Sequence, residues 1–309
     1  MSLARASSGI QLLAVAKRKK LWYNGENLCK EADMSRSPKN LILSLLALTV
    51  ACAAVWLAML GSRQARSEET GPLETEQTLP RPPENPYEES DFYKKDGFVY
   101  CSAVDAKVGV DVSAHQGRID WQAVKEAGVD FAMIRVGYRG YDLGGIYIDE
   151  CFEANMEGAL AAGLDVGVYF YSQAISVTEA LEEAELVLEA VEGYELTWPV
   201  VFDWECIGEA ARTWDLSAKT VTACTAAFCD AVEKAGYIPA FYFNQSMSQT
   251  TFRLRELQQY DFWLAQYNEA MTFPYDVAMW QYTNRGTVPG IDVTVDLNLS
   301  FRDYGQETK

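Results

Sequence analysis

Asp203 and Glu205 flank Trp204 at the end of the apolar run Pro199-Val200-Val201-Phe202, and they are the residues best suited to chemistry in this chain. The run reads as a buried strand. Side chains alternate along a strand, so the two carboxyls share one side, with Cα atoms roughly 6.5–7 Å apart. Burial and mutual crowding raise the pKa of at least one of them. A carboxylic acid kept protonated near neutral pH can donate a proton, so the pair suits general acid catalysis. An isolated Asp-x-Glu would serve equally as a strand end reaching water, and the rest of the chain decides between the two.

The elements that must position this pair alternate between strand and helix. Strands are expected over 107–113, 131–136, 165–171, 200–205 and 238–244, then over 262–267, 277–282 and 293–298 with little helix between them. Helices are expected over 121–127, 149–162, 177–191 and 217–235, with Asp120 as the N-cap of the first and Gly128, Gly163 and Gly236 closing three of them. Eight strands in this pattern fit a closed parallel α/β barrel with an irregular last third. An open doubly wound sheet is disfavoured, because no phosphate-binding Gly-rich turn follows the first strand.

Function in such a barrel gathers at the C-terminal strand ends. Those ends carry Asp111, then Tyr169 and Tyr171, then Asp203 and Glu205, then Tyr242 and Asn244, then Gln266 and Tyr267, then Trp280 and Gln281, then Asp296 and Asn298. Carboxylates, aromatic faces and amides together suit a sugar polymer. Asp111 and Asp296, on neighbouring first and eighth strands, would face Asp203 and Glu205 across the mouth. His115 is the only histidine, two residues from Ser113. A serine hydrolase built on that pair is disfavoured, and a surface or rim position is expected for His115.

The chain has 309 residues, 49% hydrophobic, with a net charge of −18. That supports one large core and argues against nucleic-acid binding. Residues 1–40 are basic, with Lys17-Arg18-Lys19-Lys20 the densest cluster. Leu41–Leu60 carries no charge and is long enough to cross a bilayer. Residues 62–97 are rich in Glu, Pro and Thr and read as a disordered linker. The expected organisation is a cytoplasmic segment over 1–40, a signal anchor over 41–61, the linker over 62–97 and a catalytic domain over 98–309. A single-pass protein with its domain outside the cytoplasm follows, and secretion after signal cleavage is the alternative. Met34 followed by a short basic stretch suggests that translation starts there and that residues 1–33 are a gene-model extension.

Seven cysteines and one histidine show no zinc spacing, and neither a metal nor a cofactor is expected. Five cysteines, Cys101, Cys151, Cys206, Cys224 and Cys229, follow the apolar run; the number is odd, so at least one is free or paired between chains.

Val108-Gly109-Val110-Asp111-Val112-Ser113, Gln116-Gly117-Arg118-Ile119-Asp120-Trp121, the Asp203-Trp204-Glu205 strand, Trp280-Gln281-Tyr282 and Val295-Asp296-Leu297-Asn298 together resemble family 25 of the glycoside hydrolases. These are N-acetylmuramidases of the Chalaropsis type, and the resemblance covers about residues 107–304. It implies an irregular TIM-like barrel of five βα units and three further strands. It implies a lysozyme that cuts peptidoglycan at the β-1,4 bond after N-acetylmuramic acid, and a monomer is expected. Glu205 matches the family's proton donor, Asp203 its second catalytic carboxylate, and Asp111 and Asp296 its supporting acids. Between Asp292 and Asp296 this chain has Val293-Thr294, where the family often has Gly-Asn; Asp296 is taken as the site residue because it lies inside the strand. Tyr169, Tyr171, Tyr242, Asn244, Gln266, Trp280 and Gln281 are the candidates for holding the glycan. A catalytically inactive wall-binding module and a hydrolase of another N-acetylhexosamine polymer such as chitin are the alternative functions.

Overall fold

The computed structural model describes residues 79–307. The basic segment, the Met34 start, the apolar run Leu41–Leu60 and the first part of the linker lie outside the described residues. Among the described residues no helix is long and apolar enough to cross a membrane.

The chain runs β1 (Phe92–Lys95), β2 (Phe98–Cys101), β3 (Lys107–Val112), α1 (Trp121–Glu126), β4 (Phe131–Arg139), β5 (Ile146–Ile148), α2 (Phe152–Ala161), β6 (Asp165–Ser172) and α3 (Val177–Val191). It continues with β7 (Val200–Trp204), α4 (Ala218–Lys234), β8 (Pro239–Asn244), the short α5 (Met247–Thr250) and α6 (Leu254–Leu257), β9 (Asp261–Ala265), β10 (Met279–Gly286), β11 (Val295–Ser300) and α7 (Tyr304–Glu307). Asp120 caps α1 through Ala123 N at 3.2 Å, and Ser176 and Ser217 cap α3 and α4 in the same way. Helix α3 buries Ala180, Glu183, Ala184, Val187 and Val191, the spacing of one helical face.

The main sheet has the order β3-β11-β10-β9-β8-β7-β6-β4-β5 and is closed by pairing of β3 with β4. Strand β5 pairs only with β4, so eight of its nine strands form the barrel. Within the barrel all neighbours are parallel except at β11, which runs antiparallel to both β10 and β3, and outside it β5 is antiparallel to β4. The all-parallel barrel expected from the sequence is corrected here. Only residues 287–294 separate β10 from β11, too few for a parallel crossover of a dozen or more residues.

Alternation along the strands makes two cores. Phe131, Met133, Tyr169, Val201, Tyr242, Trp263 and Met279 belong to the inner cluster that fills the barrel. Ile134, Val168, Phe170, Phe202, Phe241 and Leu264 face outward and pack with the helices. Gly109 makes room for the inner cluster, since a Cβ there would stand 2.2 Å from the Phe131 ring.

The last third of the barrel lacks long covering helices, and the residues before β3 take their place. Phe92 packs edge-on against Trp280 at 5.3 Å, Tyr87 stacks on Phe301 at 4.6 Å, and Glu84 bridges to Tyr275. Arg255 donates to Leu79 O at 2.9 Å. Residues 79–97, expected as the end of a disordered linker, are therefore laid along the barrel wall. The sequence carried a signal for this in Asp96-Gly97, which form the turn between β1 and β2 with φ of 51° and 89°.

Candidate active site

Each of two facing walls of the barrel mouth supplies a pair of acids. Asp203 is the fourth residue of β7 and lies in register with Tyr171 on one side and Tyr242 on the other. Trp204 turns outward, where its Nε1 donates to Ala174 O at 2.9 Å. Asp203 and Glu205 thus point inward together, as alternation requires. On the opposite wall Asp111 near the end of β3 is the direct partner of Asp296 near the start of β11. Because β11 is reversed, Asp296 reaches the mouth from the N-terminal end of its strand. Asp292 lies outside β11 and is exposed.

Asp111 is the best supported of the four. Its Oδ2 accepts from Asn298 Nδ2 at 2.7 Å and from Gln281 Nε2 at 2.9 Å. Trp263 Nε1, which can only donate, gives its hydrogen to Asn298 Oδ1 at 2.9 Å, and this fixes which end of the amide meets the acid. Gln281 is fixed likewise, its Oε1 accepting from Tyr242 and Tyr267 hydroxyls at 3.2 and 3.0 Å. Asp203 is buried, and its Oδ1 has no hydrogen-bond partner among the described residues. Buried acceptors are rarely left so.

Burial and crowding push every one of these carboxyls above its ordinary range. Burial, with Asp296 beside it, holds Asp111 up at about 8 against the two amide donors. Burial raises Asp296 to about 6. Glu205 is raised by burial and by Asp296. Asp203 is raised well above 3.8 by burial, then by Glu205 and Asp111, while Arg135 pulls it down. Arg135 sits on β4, paired with the buried Asp149 at 2.7 Å and lying 5.4 Å from the centre of the Tyr138 ring. A charged residue inside the apolar run Phe131–Val136 was the signal for it, and sequence reasoning passed it over. Asn298 was noted at its strand end without a role.

The candidates for holding a glycan divide. Tyr169, Tyr242 and Gln281 lie in the mouth, and so does Tyr171, whose hydroxyl pKa is raised by burial and then by nearby Glu205 and Asp203. Trp280 does not lie there. It is fully buried in the outer core against Phe92 and Tyr282, with its Nε1 donating to Gln266 O at 2.7 Å. Neighbours on a strand face opposite sides, so Gln281 pointing in turns Trp280 out. Gln266 is spent on loop structure, bonding Gln245 and the Thr272 amide at 3.0 and 2.8 Å. Asn244 accepts from Met247 N at 3.1 Å and starts α5. Tyr267, half exposed at the rim, was not among the candidates. His115 is exposed, as expected.

Known proteins share this architecture. The chain is 30% identical over 199 residues to the uncharacterized protein YegX of Escherichia coli K12, covering 62% of this chain and 68% of that one. The solved structure of the modular autolysin LytC from Streptococcus pneumoniae superimposes with a TM-score of 0.57 at 27% identity, over 67% of this chain. The match spans about half of that autolysin, 51% of its length. A family 25 glycosyl hydrolase from Bacillus anthracis matches in fold with a TM-score of 0.57 at 22% identity, over 67% of this chain and 94% of that one. The model of glycosyl hydrolases family 25 matches residues 110–291, the stretch that runs from the strand of Asp111 past Asp203 and Glu205 to just before β11. The chain belongs to family 25 of the glycosyl hydrolases.

Proposed function

We propose that this protein is a peptidoglycan hydrolase, an N-acetylmuramidase that cuts the β-1,4 bond between N-acetylmuramic acid and N-acetylglucosamine. The observation that carries the reading is the unpartnered, buried Asp203 Oδ1 beside a Glu205 whose pKa is raised. The LytC structure was solved with a synthetic peptidoglycan ligand, which supports the substrate class.

Glu205, protonated, gives its proton to the departing glycosidic oxygen. Asp203 is on the same strand and is poorly placed to attack the opposite face of the sugar. It instead accepts the N–H of the substrate's own acetamido group, whose oxygen attacks the anomeric carbon, a known exception to the two-carboxylate scheme. A hydrogen bond from that N–H favours the charged form of Asp203. Arg135 acts in the same sense, and the proton shared by the cluster then resides on Glu205. Attack closes a five-membered ring between the acetamide oxygen and the anomeric carbon as the glycosidic bond breaks; Glu205, now ionised, takes a proton from the water that attacks the anomeric carbon and breaks its bond to the acetamide oxygen, and configuration is retained. Burial, and after it Asp296, keeps Glu205 protonated, while Asp111 braces the opposite wall of the mouth. Tyr169, Tyr171, Tyr242 and Gln281 line the path of the glycan.

Digestion of defined peptidoglycan, with mass analysis of the ends, tests the reading. Muropeptides ending in reducing N-acetylmuramic acid are expected. Binding without cleavage would favour a wall-binding module, and cleavage of chitooligosaccharides alone would favour another N-acetylhexosamine polymer.

The proposed setting is the outer face of a membrane, with Leu41–Leu60 as the anchor. Cell fractionation should find the protein with membranes and open to external protease. A wholly soluble protein beginning just after residue 61 would show that the segment is cleaved instead.

A further inference from the structure

Glu205 lies one residue beyond the end of β7, where the sheet no longer holds the backbone. The last pair in register is Ser172 with Trp204. What holds Glu205 instead is a side chain. Gln173, fully buried just after β6, donates its Nε2 hydrogens to the carbonyl oxygen of Glu205 and to Ser172 O, the second at 3.1 Å. Its Oε1 accepts from the Thr213 hydroxyl at 3.0 Å. The orientation is fixed by chemistry, because the flipped amide would set an oxygen against two carbonyl oxygens. Thr213 is itself buried, in the loop between β7 and α4. One amide therefore ties three chain segments together at the position of the proposed acid.

We propose that Gln173 is a positioning residue for Glu205, holding the acid within the carboxylate cluster through its main-chain carbonyl. The proposal deepens the muramidase reading and rests on it for the role of Glu205. The groups that face Glu205 are Asp203 on β7, Asp111 on β3, Asp296 on β11, Tyr171 on β6, Tyr242 on β8 and Tyr267 after β9. All are acidic or neutral. Held among them, the Glu205 carboxyl keeps its proton to higher pH. Released, it moves toward water, and its pKa falls back toward the ordinary 4.5.

The test is Gln173→Leu in the full-length chain, which keeps the volume and cannot donate. Glu205 is titrated directly by the carbon resonance of its labelled carboxyl, a readout that needs no activity. Its titration should shift to lower pH than in the wild type. On peptidoglycan, kcat should fall by about 10²-fold with KM little changed, the usual cost of a misplaced catalytic group. Thr213→Val, a smaller change, should move both in the same direction and decides the matter if Gln173→Leu does not fold. Trp204→Phe removes the bond to Ala174 O and loosens the same loop ends without touching Glu205. It should lower Tm and leave the titration in place. An unmoved Glu205 titration in a folded Gln173→Leu or Thr213→Val protein would overturn the proposal. So would an equal shift in Trp204→Phe. A wild type that binds but does not cut peptidoglycan would overturn the functional reading and leave the titration to judge Gln173.

Discussion

Glu205→Gln is expected to slow the clearing of purified cell walls by at least about 10²-fold, the lower end of what general acid–base help contributes. Glutamine keeps the size of the side chain and much of its hydrogen bonding but has no proton to give. Binding of wall material should persist, because the mouth keeps its shape. The wild-type pH–rate profile should be bell-shaped and mildly acidic, and its alkaline limb belongs to Glu205 together with the acids coupled to it. That limb should vanish from whatever residual activity the variant retains. A Glu205→Gln protein that clears walls at near the wild-type rate would refute both the mechanism and the role given to this residue.

Asp203→Asn should cost comparably, about 10²–10³-fold in kcat, the scale set by losing one preorganised electrostatic partner. Two effects combine. The amide oxygen accepts the acetamido N–H without a charge, so the attacking carbonyl is less well activated. The amide hydrogens also face a group that needs an acceptor. Substrates lacking the acetamido group should lose nothing further, being already slow. Proton NMR of early products tests the scheme itself. It should show the β anomer first, and an α-anomeric first product would exclude acetamido assistance.

Neither substitution should unfold the protein, and the sign follows from linkage. The unfolded chain ionises its carboxyls at ordinary values, 3.8 for Asp and 4.5 for Glu, while the folded cluster resists until about 6 at Asp296 and about 8 at Asp111. The unfolded state therefore binds fewer protons across that window. Stability from these groups is fully present below the ordinary values and is lost as pH rises through the folded ones. Removing one acid relieves the strain near neutrality, the familiar trade between a charged site and stability. Tm should thus rise slightly in either variant at pH 7 and be unchanged at pH 4.

The acid pair was legible because Asp-Trp-Glu at the end of an apolar run obeys a period of two, and period is what sequence states most clearly. The five βα units were legible for the same reason. What failed was parity and direction. Trp280 and Gln281 were both assigned to the glycan although adjacent strand residues cannot share a face. The short gap expected between the last two strands, 283–292, already hinted at the reversal of β11, but the hydrophobic pattern of a strand is the same read either way. Asn244, Gln266 and Gln173 could not be sorted by type. An amide at a strand end caps a helix, braces a loop or meets a ligand according to which backbone lies nearby, and that is decided by packing. Arg135 and Asn298 were visible as polar interruptions of apolar strands, a signal that was present and unused.

The reversed last strand also sets when the site comes into being. Strand β11 is inserted between β10 and β3, the first barrel strand, and it brings Asp296 and Asn298 to Asp111 in the act of closing the ring. Such pairings between distant parts of a chain form slowly, since loop-closure entropy must be overcome first. A ribosome-bound chain that has not yet released Val295–Ser300 holds Asp203 and Glu205 and half of a mouth, with two unpaired edges beside it. Completion of the carboxylate cluster and closure of the barrel are one event, so a nascent or truncated chain lacks the assembled site.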